Sequence, residues 1–468
     1  MNYKYFPFNF RQLPSQKYIL TNSTGSFGII NSRDDLKNLI YHKYENLEEK
    51  LLNNLEANNF IYIEKDYKIK LNIYLTNLST KIYSNLNKPS LFLIIPTLRC
   101  DLDCNYCQVS RVNINKQGYD LDIKYIDEII KVINLVSDKS FKIEFQGGEP
   151  LLNFNFIETF VKKIKEVITN KNISFVICST LNNINDEILN FCKNNNIFLS
   201  TSLDGNKDIH NSNRPSRYYN SYDRFTAKLK ESRKILGKNN ISALSTVTKE
   251  TLKDYKKFIQ GYLDNEFTTI SIRPLTFLGY AFNDNKIYSA EDFFEFYKNC
   301  LEYIFDINKE KVFIEENLLI YLSKIFSPFE NNYLDLQSPS SYMMGALVFN
   351  YDGKIFGSDE ARMLWKMTKF KELELGDITT KEYNFLDKNN ITVLSNSFIE
   401  TMPGCEDCSY KEYCGVDVFH HLSTQGDIIG DKSISFFCKL HTMIFDYIFD
   451  SLINRKDIME IYLKWKNQ

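Results

Sequence analysis

The chain has 468 residues, of which 43% are hydrophobic and 25% charged, and its formal net charge is −2. This is the composition of a globular protein with a sizeable core, and it lacks the basic excess typical of nucleic-acid-binding proteins. The first ten residues lack both the charged start and the apolar run of a secretory signal. The clearest apolar run of the chain, Leu91–Pro96, is too short to cross a bilayer of about 30 Å. We therefore predict a cytoplasmic protein with no nucleic acid or membrane partner. In that reducing compartment, clustered cysteines favour metal binding or redox chemistry over disulfides.

The length predicts two or three domains at about 150 residues each, and residues 1–88 form the first of them. A β-hairpin is predicted from Tyr18, with its turn at 23–25, and helical patterns and a further strand follow it. We predict a small winged-helix-like module. The acidic stretch over 45–56 argues against nucleic acid, whereas an exposed hairpin edge could bind an extended peptide by strand addition.

Six strand-like runs alternate with helix-like runs in the next part of the chain. The strands begin at Leu91, Lys142, Ile173, Ile197, Ile241 and Thr269. Amphipathic stretches from Tyr125, Phe156 and Tyr255 lie between them, and this alternation is typical of βαβ units on a parallel sheet. Six units are too few for a closed eight-stranded barrel. We therefore predict an α/β fold with a partial (β/α)6 barrel over 89–310.

Polar side chains follow the ends of these predicted strands, where barrels of this type carry their chemistry. Three cysteines follow the first strand. The later strands are followed by Gly147, Gly148 and Glu149, then Thr180, then Ser202 and Asp204, then Thr246, and finally Arg273. We therefore expect these groups to converge on one rim.

The three cysteines are Cys100, Cys104 and Cys107, spaced C-x3-C-x2-C with no fourth cysteine close by. Three thiolates can hold three corners of a [4Fe–4S] cube and leave the fourth iron open. A structural metal site uses four protein ligands, whereas a catalytic site keeps a position free. The spacing therefore indicates an iron–sulfur enzyme that coordinates a small molecule. The alternative is a zinc site completed by Cys178 or Cys192.

These features resemble the radical S-adenosylmethionine (SAM) superfamily. The resemblance rests on the cysteine trio, on Tyr106 and on EFQGGEP at Glu144–Pro150, and it spans the six-unit region. It implies a [4Fe–4S] cluster on the three cysteines, with SAM chelated at the open iron. It also implies reductive cleavage of SAM to a 5′-deoxyadenosyl radical, which abstracts hydrogen from a substrate.

The resemblance also implies which residues bind SAM. Gly147, Gly148 and Glu149 are similar to the segment that meets the SAM amino group, where glycine permits close backbone approach. Tyr106 resembles the aromatic residue beside the adenine. The contacts to ribose and carboxylate would fall on Thr180, Asn182, Ser202 and Asp204.

A second cysteine group lies in the predicted C-terminal domain, 311–468, and resembles the SPASM domain of radical SAM peptide maturases. The resemblance implies one auxiliary [4Fe–4S] cluster, and its four ligands would be Cys405, Cys408, Cys414 and Cys438. Val418 and Ser358 stand where further cysteines are usual, so we do not expect a second auxiliary cluster. A fully ligated cluster has no open iron and suits electron transfer or anchoring of the fold. Structural zinc on the four cysteines is the alternative.

Three longer segments resemble the His-Xaa-Ser system radical SAM maturases of the HxsB type. They are FPFNFRQLPSQKYILTN near the start, FGSDEARML at Phe356–Leu364 and YCGVDVFHHLSTQGD at Tyr413–Asp427. This likeness implies a ribosomally made peptide substrate with His-Xaa-Ser repeats and an external electron donor of the flavodoxin or ferredoxin type. It allows for a second maturase. The N-terminal module would then be similar to a leader-binding domain.

Asp359 and Glu360 lie on a polar turn before the second cysteine group, and we predict that they face the substrate as candidate catalytic bases, with Arg362 as an anchor. A solvated turn is the alternative. His210 and Arg214, which follow the fourth strand, could cap a helix or close over SAM.

Two other functions fit parts of the pattern. An anaerobic sulfatase-type maturase would oxidise a Cys or Ser side chain of a protein and would not need residues 1–88. A non-catalytic iron–sulfur protein would serve as an electron carrier. Release of 5′-deoxyadenosine from SAM separates the enzymes from the carrier.

Overall fold

A computed structural model of the chain describes residues 2–85, 88–282, 286–329, 333–367, 370–383, 385 and 387–467. The first 85 residues hold β1 (Tyr3–Tyr5), β2 (Asn9–Gln12), β3 (Tyr18–Thr21), β4 (Phe27–Ile30), α1 (Arg33–Ile40), α2 (Glu49–Ala57), β5 (Ile61–Ile63) and α3 (Tyr67–Asn85). Strands β2, β3 and β4 form an antiparallel sheet, and β1 pairs with β5. The predicted hairpin is confirmed as β3 and β4. Helix α3 was not anticipated, and the winged-helix likeness remains a prediction.

The six predicted strands of the central region are confirmed. The elements are β6 (Leu91–Thr97), β7 (Arg99–Cys100), β8 (Val112–Asn113), α4 (Ile126–Val136), β9 (Ser140–Gly147), α5 (Phe154–Val167), β10 (Asn172–Cys178), α6 (Asp186–Asn195), β11 (Ile197–Ser202), α7 (Lys207–Asn213), α8 (Ser221–Leu236), β12 (Ile241–Thr246), α9 (Tyr255–Asp264), β13 (Thr269–Arg273) and α10 (Ala290–Ile307). Strands β6, β9, β10, β11, β12 and β13 are neighbours in that order, and all their pairings are parallel.

The sheet continues on both sides of these six strands. The remaining elements are β14 (Ile314–Glu315), α11 (Glu316–Phe326), β15 (Ala346–Phe349), β16 (Lys354–Phe356), α12 (Asp359–Met367), β17 (Glu374–Asp377), β18 (Glu382–Tyr383), α13 (Lys388–Ser395), α14 (Val418–Gln425), α15 (Phe436–Asn454) and α16 (Lys456–Lys466). Strand β14 pairs in parallel with β13, and β15 pairs in parallel with β6. Strands β16, β17 and β18 extend the sheet in antiparallel fashion, to eleven strands within the described residues. The sheet is open, as expected, and crosses the predicted boundary at residue 310; the domain bounds themselves remain predictions.

The core lies between the sheet and its helices. Strand β6 is buried along nearly its whole length, as expected for a parallel strand that is covered on both faces. Helix α5 buries Phe156, Ile157, Phe160, Val161 and Ile164, a stripe with helical spacing that packs against the sheet. Within the part of the chain that the structure describes, no helix combines the length and apolarity needed to cross a bilayer.

Candidate active site

A cavity of about 530 Å³ lies over the carboxyl ends of the parallel strands. Its lining contains most of the predicted rim: Cys100, Cys104, Cys107, Gly147, Gly148, Thr180, Ser202, Thr246 and Arg273. Tyr106 also lines the cavity. A further wall, called here the C-terminal wall, comes from the C-terminal region, chiefly from α12, α14 and α15. The strand ends and the C-terminal helices therefore enclose one site.

The end of β7 and the loop that follows it present the three cysteines to this cavity as free thiols. The hydrogen bonds that fix its backbone include those from Asp103 N to Pro215 O (2.8 Å) and from Tyr280 N to Cys107 O (2.8 Å). Burial raises the pKa of Cys104 to about 12, while the nearby Arg214 and Arg111 act in the opposite direction. Cationic neighbours of this kind stabilise thiolates, so the donor set fits a group that is bound through sulfur.

Gly148 allows this loop to lie against the end of β9. A Cβ at this position would meet Arg99 O at 2.2 Å and the Leu98 carbonyl carbon at 2.6 Å, contacts that a side chain cannot make. Gly148 N also donates to Thr97 O (3.0 Å). The close backbone approach that the sequence suggested is thus made by the cysteine-bearing segment of this chain.

Glu149 is fully buried at the same strand end. Its carboxylate accepts four hydrogen bonds: from Leu151 N (3.1 Å), Ser179 Oγ (2.9 Å), Thr180 N (2.7 Å) and Thr180 Oγ1 (2.7 Å). Burial, with a further contribution from Asp101, raises the pKa of Glu149 to about 7. In this arrangement the Glu149 carboxylate holds Thr180, which lines the cavity. A contact between Glu149 and the SAM amino group remains a prediction.

Asp204 is likewise fully buried, behind two cavity residues. Its Oδ2 accepts hydrogen bonds from Tyr106 OH (2.5 Å) and Arg214 Nε (2.9 Å), and its Oδ1 accepts one from Thr246 N (3.2 Å). The Arg214 guanidinium lies 5.3 Å from the centre of the Tyr106 ring. Asp204 therefore positions an aromatic ring and a cation at the cavity wall, and Arg214 lines it directly.

Asn182 is buried next to the cysteine loop. Its Nδ2 donates to Asp101 Oδ2 (3.1 Å), which also accepts from Tyr219 OH, while its backbone carbonyl accepts two hydrogen bonds from Arg224. These contacts tie the end of β10 to the residue after Cys100. A direct contact between Asn182 and SAM stays a prediction.

The C-terminal wall of the cavity carries carboxyl groups. Glu360, at the start of α12, lines the cavity together with Asp335 and Asp417. The pKa of Glu360 is raised to about 8, first by burial and then by the charges of Asp359, Asp335 and Asp417. Asp359 instead pairs with the buried Arg362 (2.7 Å). The predicted pair is therefore split: Glu360 reaches the cavity, whereas Asp359 holds the helix that carries it.

The four C-terminal cysteines lie near one another behind this wall. Burial is the main cause that raises the pKa of Cys414, and the charges of Cys408, Cys405 and Cys438 add to it. Tyr410 N donates to Cys408 Sγ (3.4 Å), and Cys438 lies in the first turn of α15, where its N–H donates to Ser435 Oγ (3.2 Å). Four thiols that act on one another in this way fit a fully ligated cluster, and zinc stays the alternative, although no three of them form a ready site for a single ion among the described residues.

The two cysteines proposed as a fourth zinc ligand have other surroundings. Cys178 Sγ donates to Glu144 Oε1 (3.1 Å) on the neighbouring strand, and Cys192 is fully buried in α6. Cys178 also lines the cavity. Among the described residues, no three His, Cys, Asp or Glu side chains form a ready site for a single metal ion.

Comparison with known proteins agrees with this geometry. Residues 94–259 match the family model of the radical SAM superfamily. An uncharacterized protein of Methanocaldococcus jannaschii is 39% identical over 110 residues, which are 23% of this chain and 36% of that protein, so the chain aligns with about a third of that relative. A cysteine-type anaerobic sulfatase-maturating enzyme of Clostridium perfringens is 23% identical over 384 residues, covering 78% of this chain and 98% of that enzyme.

Solved structures show the same fold. Native anSMEcpe with bound AdoMet aligns with a TM-score of 0.64 at 18% identity, covering 78% of this chain and 98% of the other. SuiB from Streptococcus suis, bound to the precursor peptide SuiA, aligns with a TM-score of 0.53 at 16% identity, covering 90% and 97%. The cysteine motif, the cavity and the family match agree with one another: residues 94–259 of this chain are similar to the radical SAM superfamily, and maturating enzymes are among the chain's neighbours.

Proposed function

We propose that this chain is a radical SAM enzyme that abstracts hydrogen from a ribosomally made peptide, one with His-Xaa-Ser repeats, and thereby modifies it. The observation that carries the proposal is that three thiols open onto a cavity whose lining also includes the carboxyl groups of the C-terminal wall. When bound, a [4Fe–4S] cluster would supply the electron that cleaves SAM to methionine and a 5′-deoxyadenosyl radical. The protein would hold both groups and exclude competing reactions.

The residues divide this task between the two sides of the cavity. Cys100, Cys104 and Cys107 would hold the cluster. Tyr106, Gly147, Gly148, Thr180 and Ser202 would line the SAM side, while Glu149, Asn182 and Asp204 would fix them from behind through their buried hydrogen bonds. Arg214 adds a cation that suits the SAM carboxylate.

The peptide would bind against the C-terminal wall of the cavity. Glu360 is the candidate group there to accept a proton from the peptide, because Asp359 is engaged by Arg362. The likeness to SuiB, a structure with a bound precursor peptide that covers 90% of this chain, supports a peptide substrate. The N-terminal module would contribute to leader recognition. A flavodoxin or ferredoxin would supply electrons in the cytoplasm, and a second maturase is a further partner that the resemblance allows.

The auxiliary cysteines would hold one [4Fe–4S] cluster. Such a cluster, ligated at all four irons, could accept the electron that remains after a new bond forms on the peptide. Zinc on the same four thiols would instead leave the site structural. Iron and zinc analysis of protein that lacks the first three cysteines separates the two.

A second candidate is an anaerobic sulfatase-type maturase. The alignment that spans 98% of the Clostridium perfringens sulfatase-maturating enzyme favours it. That alignment leaves roughly a fifth of the present chain uncovered, an extent comparable with the N-terminal module. The two functions are separated by the substrate that the enzyme modifies.

The proposal is tested by anaerobic reconstitution with iron, sulfide, SAM and a reductant. We expect 5′-deoxyadenosine from the wild type and from Cys300→Ala, which removes a buried thiol of α10, and none from Cys104→Ala. Mass spectrometry then compares a His-Xaa-Ser repeat precursor with a sulfatase-derived cysteine peptide. Modification of the first supports the proposal, and modification of the second alone replaces it with the sulfatase-type function. Absence of 5′-deoxyadenosine under all reductants would indicate an electron carrier.

A further inference from the structure

The N-terminal module is seated on the auxiliary cysteine loop, defined here as residues 405–414. Asn9 Nδ2 donates to Cys408 O (3.2 Å) and Glu406 O (3.4 Å), and Thr21 Oγ1 donates to Ser409 O (2.7 Å). Strands β2 and β3 therefore satisfy three carbonyl groups of the loop backbone. A domain that only recognised a peptide leader would not need these contacts.

An ion pair crosses the same interface. Arg11 of β2 makes two parallel hydrogen bonds to Asp446 of α15, from Nε to Oδ1 (2.7 Å) and from the second guanidinium nitrogen, Nη2, to Oδ2 (2.9 Å). Paired bonds of this kind fix the geometry as well as the charge. Asp446 is only 16% exposed at its side chain, whereas Arg11 is 43% exposed, so solvent screens the pair in part.

Tyr410 links this pair to the cysteines. Its OH donates to Asp446 Oδ1 (2.6 Å), while its backbone N–H donates to Cys408 Sγ (3.4 Å). The Arg11 guanidinium lies 5.7 Å from the centre of the Tyr410 ring. The charges of Arg11 and Asp446 are thus held next to a residue that contacts a cysteine sulfur.

We propose that the Arg11–Asp446 pair sets the reduction potential of the iron–sulfur centre on Cys405, Cys408, Cys414 and Cys438, which makes the N-terminal module part of that centre. The proposal rests on the auxiliary cluster of the proposed function. Reduction adds one negative charge to a cluster, so a nearby cation favours the reduced form and a nearby anion disfavours it, and net charge and hydrogen bonds to sulfur are known determinants of such potentials.

The two members of the pair should act in opposite directions. Arg11→Gln leaves the Asp446 carboxylate uncompensated, so the potential should become more negative. Asp446→Asn leaves the Arg11 cation uncompensated, so the potential should become more positive. In the double variant the two changes should largely cancel. Loosening of the interface alone would move both single variants in the same direction.

A matched control lies one turn further along α15. Asp450 also faces the module, where its Oδ1 accepts from Ser15 N (3.2 Å). At 1.5 Å per helical residue, Asp450 is about 18 Å along the axis from Cys438, against about 12 Å for Asp446. Asp450→Asn should therefore shift the potential in the same direction as Asp446→Asn but by a smaller amount.

The measurement is an EPR-monitored redox titration of full-length protein in which Cys100, Cys104 and Cys107 are all replaced by Ala, so that only the auxiliary centre remains. Opposite shifts in the two single variants with near cancellation in the double variant support the proposal. Three results would overturn it: shifts of the potential in the same direction in Arg11→Gln and Asp446→Asn, no shift in either, or a shift in Asp450→Asn as large as that in Asp446→Asn. A protein that holds zinc or no reducible cluster would overturn it as well, whereas the proposed hydrogen abstraction is judged separately by 5′-deoxyadenosine from the wild type.

Discussion

Glu360 carries a carboxyl group that we expect to control how the reaction depends on pH. Burial and the charges of Asp359, Asp335 and Asp417 raise its pKa to about 8, so most of it is protonated at pH 7. If this group accepts a proton from the peptide, initial rates of modification should rise as pH increases through about 8. Asp335→Asn removes one raising charge and should move the midpoint to lower pH.

Glu360→Gln supplies the isosteric control for this prediction. It should lower the rate by about 100-fold or more, the usual contribution of a general base, and should remove the pH dependence near 8. Formation of 5′-deoxyadenosine without peptide should change little, because Glu360 is not among the residues proposed to hold the cluster or SAM. An unchanged midpoint in Asp335→Asn, or a fully active Glu360→Gln, would assign proton acceptance to another group.

At the scale of elements, the strand ends were the most predictable part of the site. Each strand of the partial barrel has a buried, β-rich pattern, and parallel strands must place their carboxyl ends at one edge, so Thr180, Ser202 and Arg273 could be assigned to one rim from sequence. Strands β14 and β18 could not be found in this way, because each has two residues and its pairing depends on contacts distant in the chain.

The roles of buried carboxylates were also hidden from the sequence. Glu149 and Asp204 follow the same strands as the cavity residues, yet each is fully buried and bonded to a cavity residue, Thr180 in one case and Arg214 in the other. A one-dimensional pattern places a residue at a strand end but does not tell whether its side chain reaches the ligand or holds a neighbour. That distinction depends on hydrogen bonds between strands.

The contact between β9 and the cysteine loop gives a second prediction. Gly148→Ala would place a Cβ 2.2 Å from Arg99 O, so the loop must shift, at a cost of about 1–3 kcal/mol for overpacking. We expect less iron at the first cluster and weaker SAM binding, with the auxiliary centre retained. Iron content and SAM binding by equilibrium dialysis, measured under anaerobic conditions, test this outcome.

Gly118→Ala is the control for this substitution. Gly118 lies in the connection between β8 and α4 and has a positive φ of 80°, and a Cβ added there would meet no other atom within 4 Å. It should therefore show a backbone cost of about 1 kcal/mol without loss of iron. If both variants lose iron equally, displacement of the loop by Gly148→Ala is not the cause.

At the scale of the whole molecule, the N-terminal module and the C-terminal region join around a buried ion pair. Lys81 of α3 and Glu412 of the auxiliary cysteine loop are in contact, with side chains 9% and 3% exposed. A second lysine, Lys324, is also buried nearby, and burial followed by the charge of Lys81 lowers its pKa to about 7. These residues are far apart in sequence, so no local pattern could have predicted that the two regions meet here.

Removal of the Glu412 charge should therefore destabilise the protein as a whole. Glu412→Gln leaves Lys81 in a buried site without its carboxylate and withdraws the anion that favours a charged Lys324, so the free energy of unfolding should fall by about 3–5 kcal/mol. The double variant Lys81→Met with Glu412→Leu buries no uncompensated charge at this position and should recover most of the lost stability.

Asp306→Asn is the control. It breaks an exposed pair with Lys309 (2.7 Å, side chains 67% and 74% exposed) and should cost less than about 1 kcal/mol. Urea-induced unfolding of the four proteins under anaerobic conditions measures these differences. A Glu412→Gln effect no larger than that of Asp306→Asn, or a double variant no more stable than the single one, would mean that the two regions are joined by their apolar contacts and not by this pair.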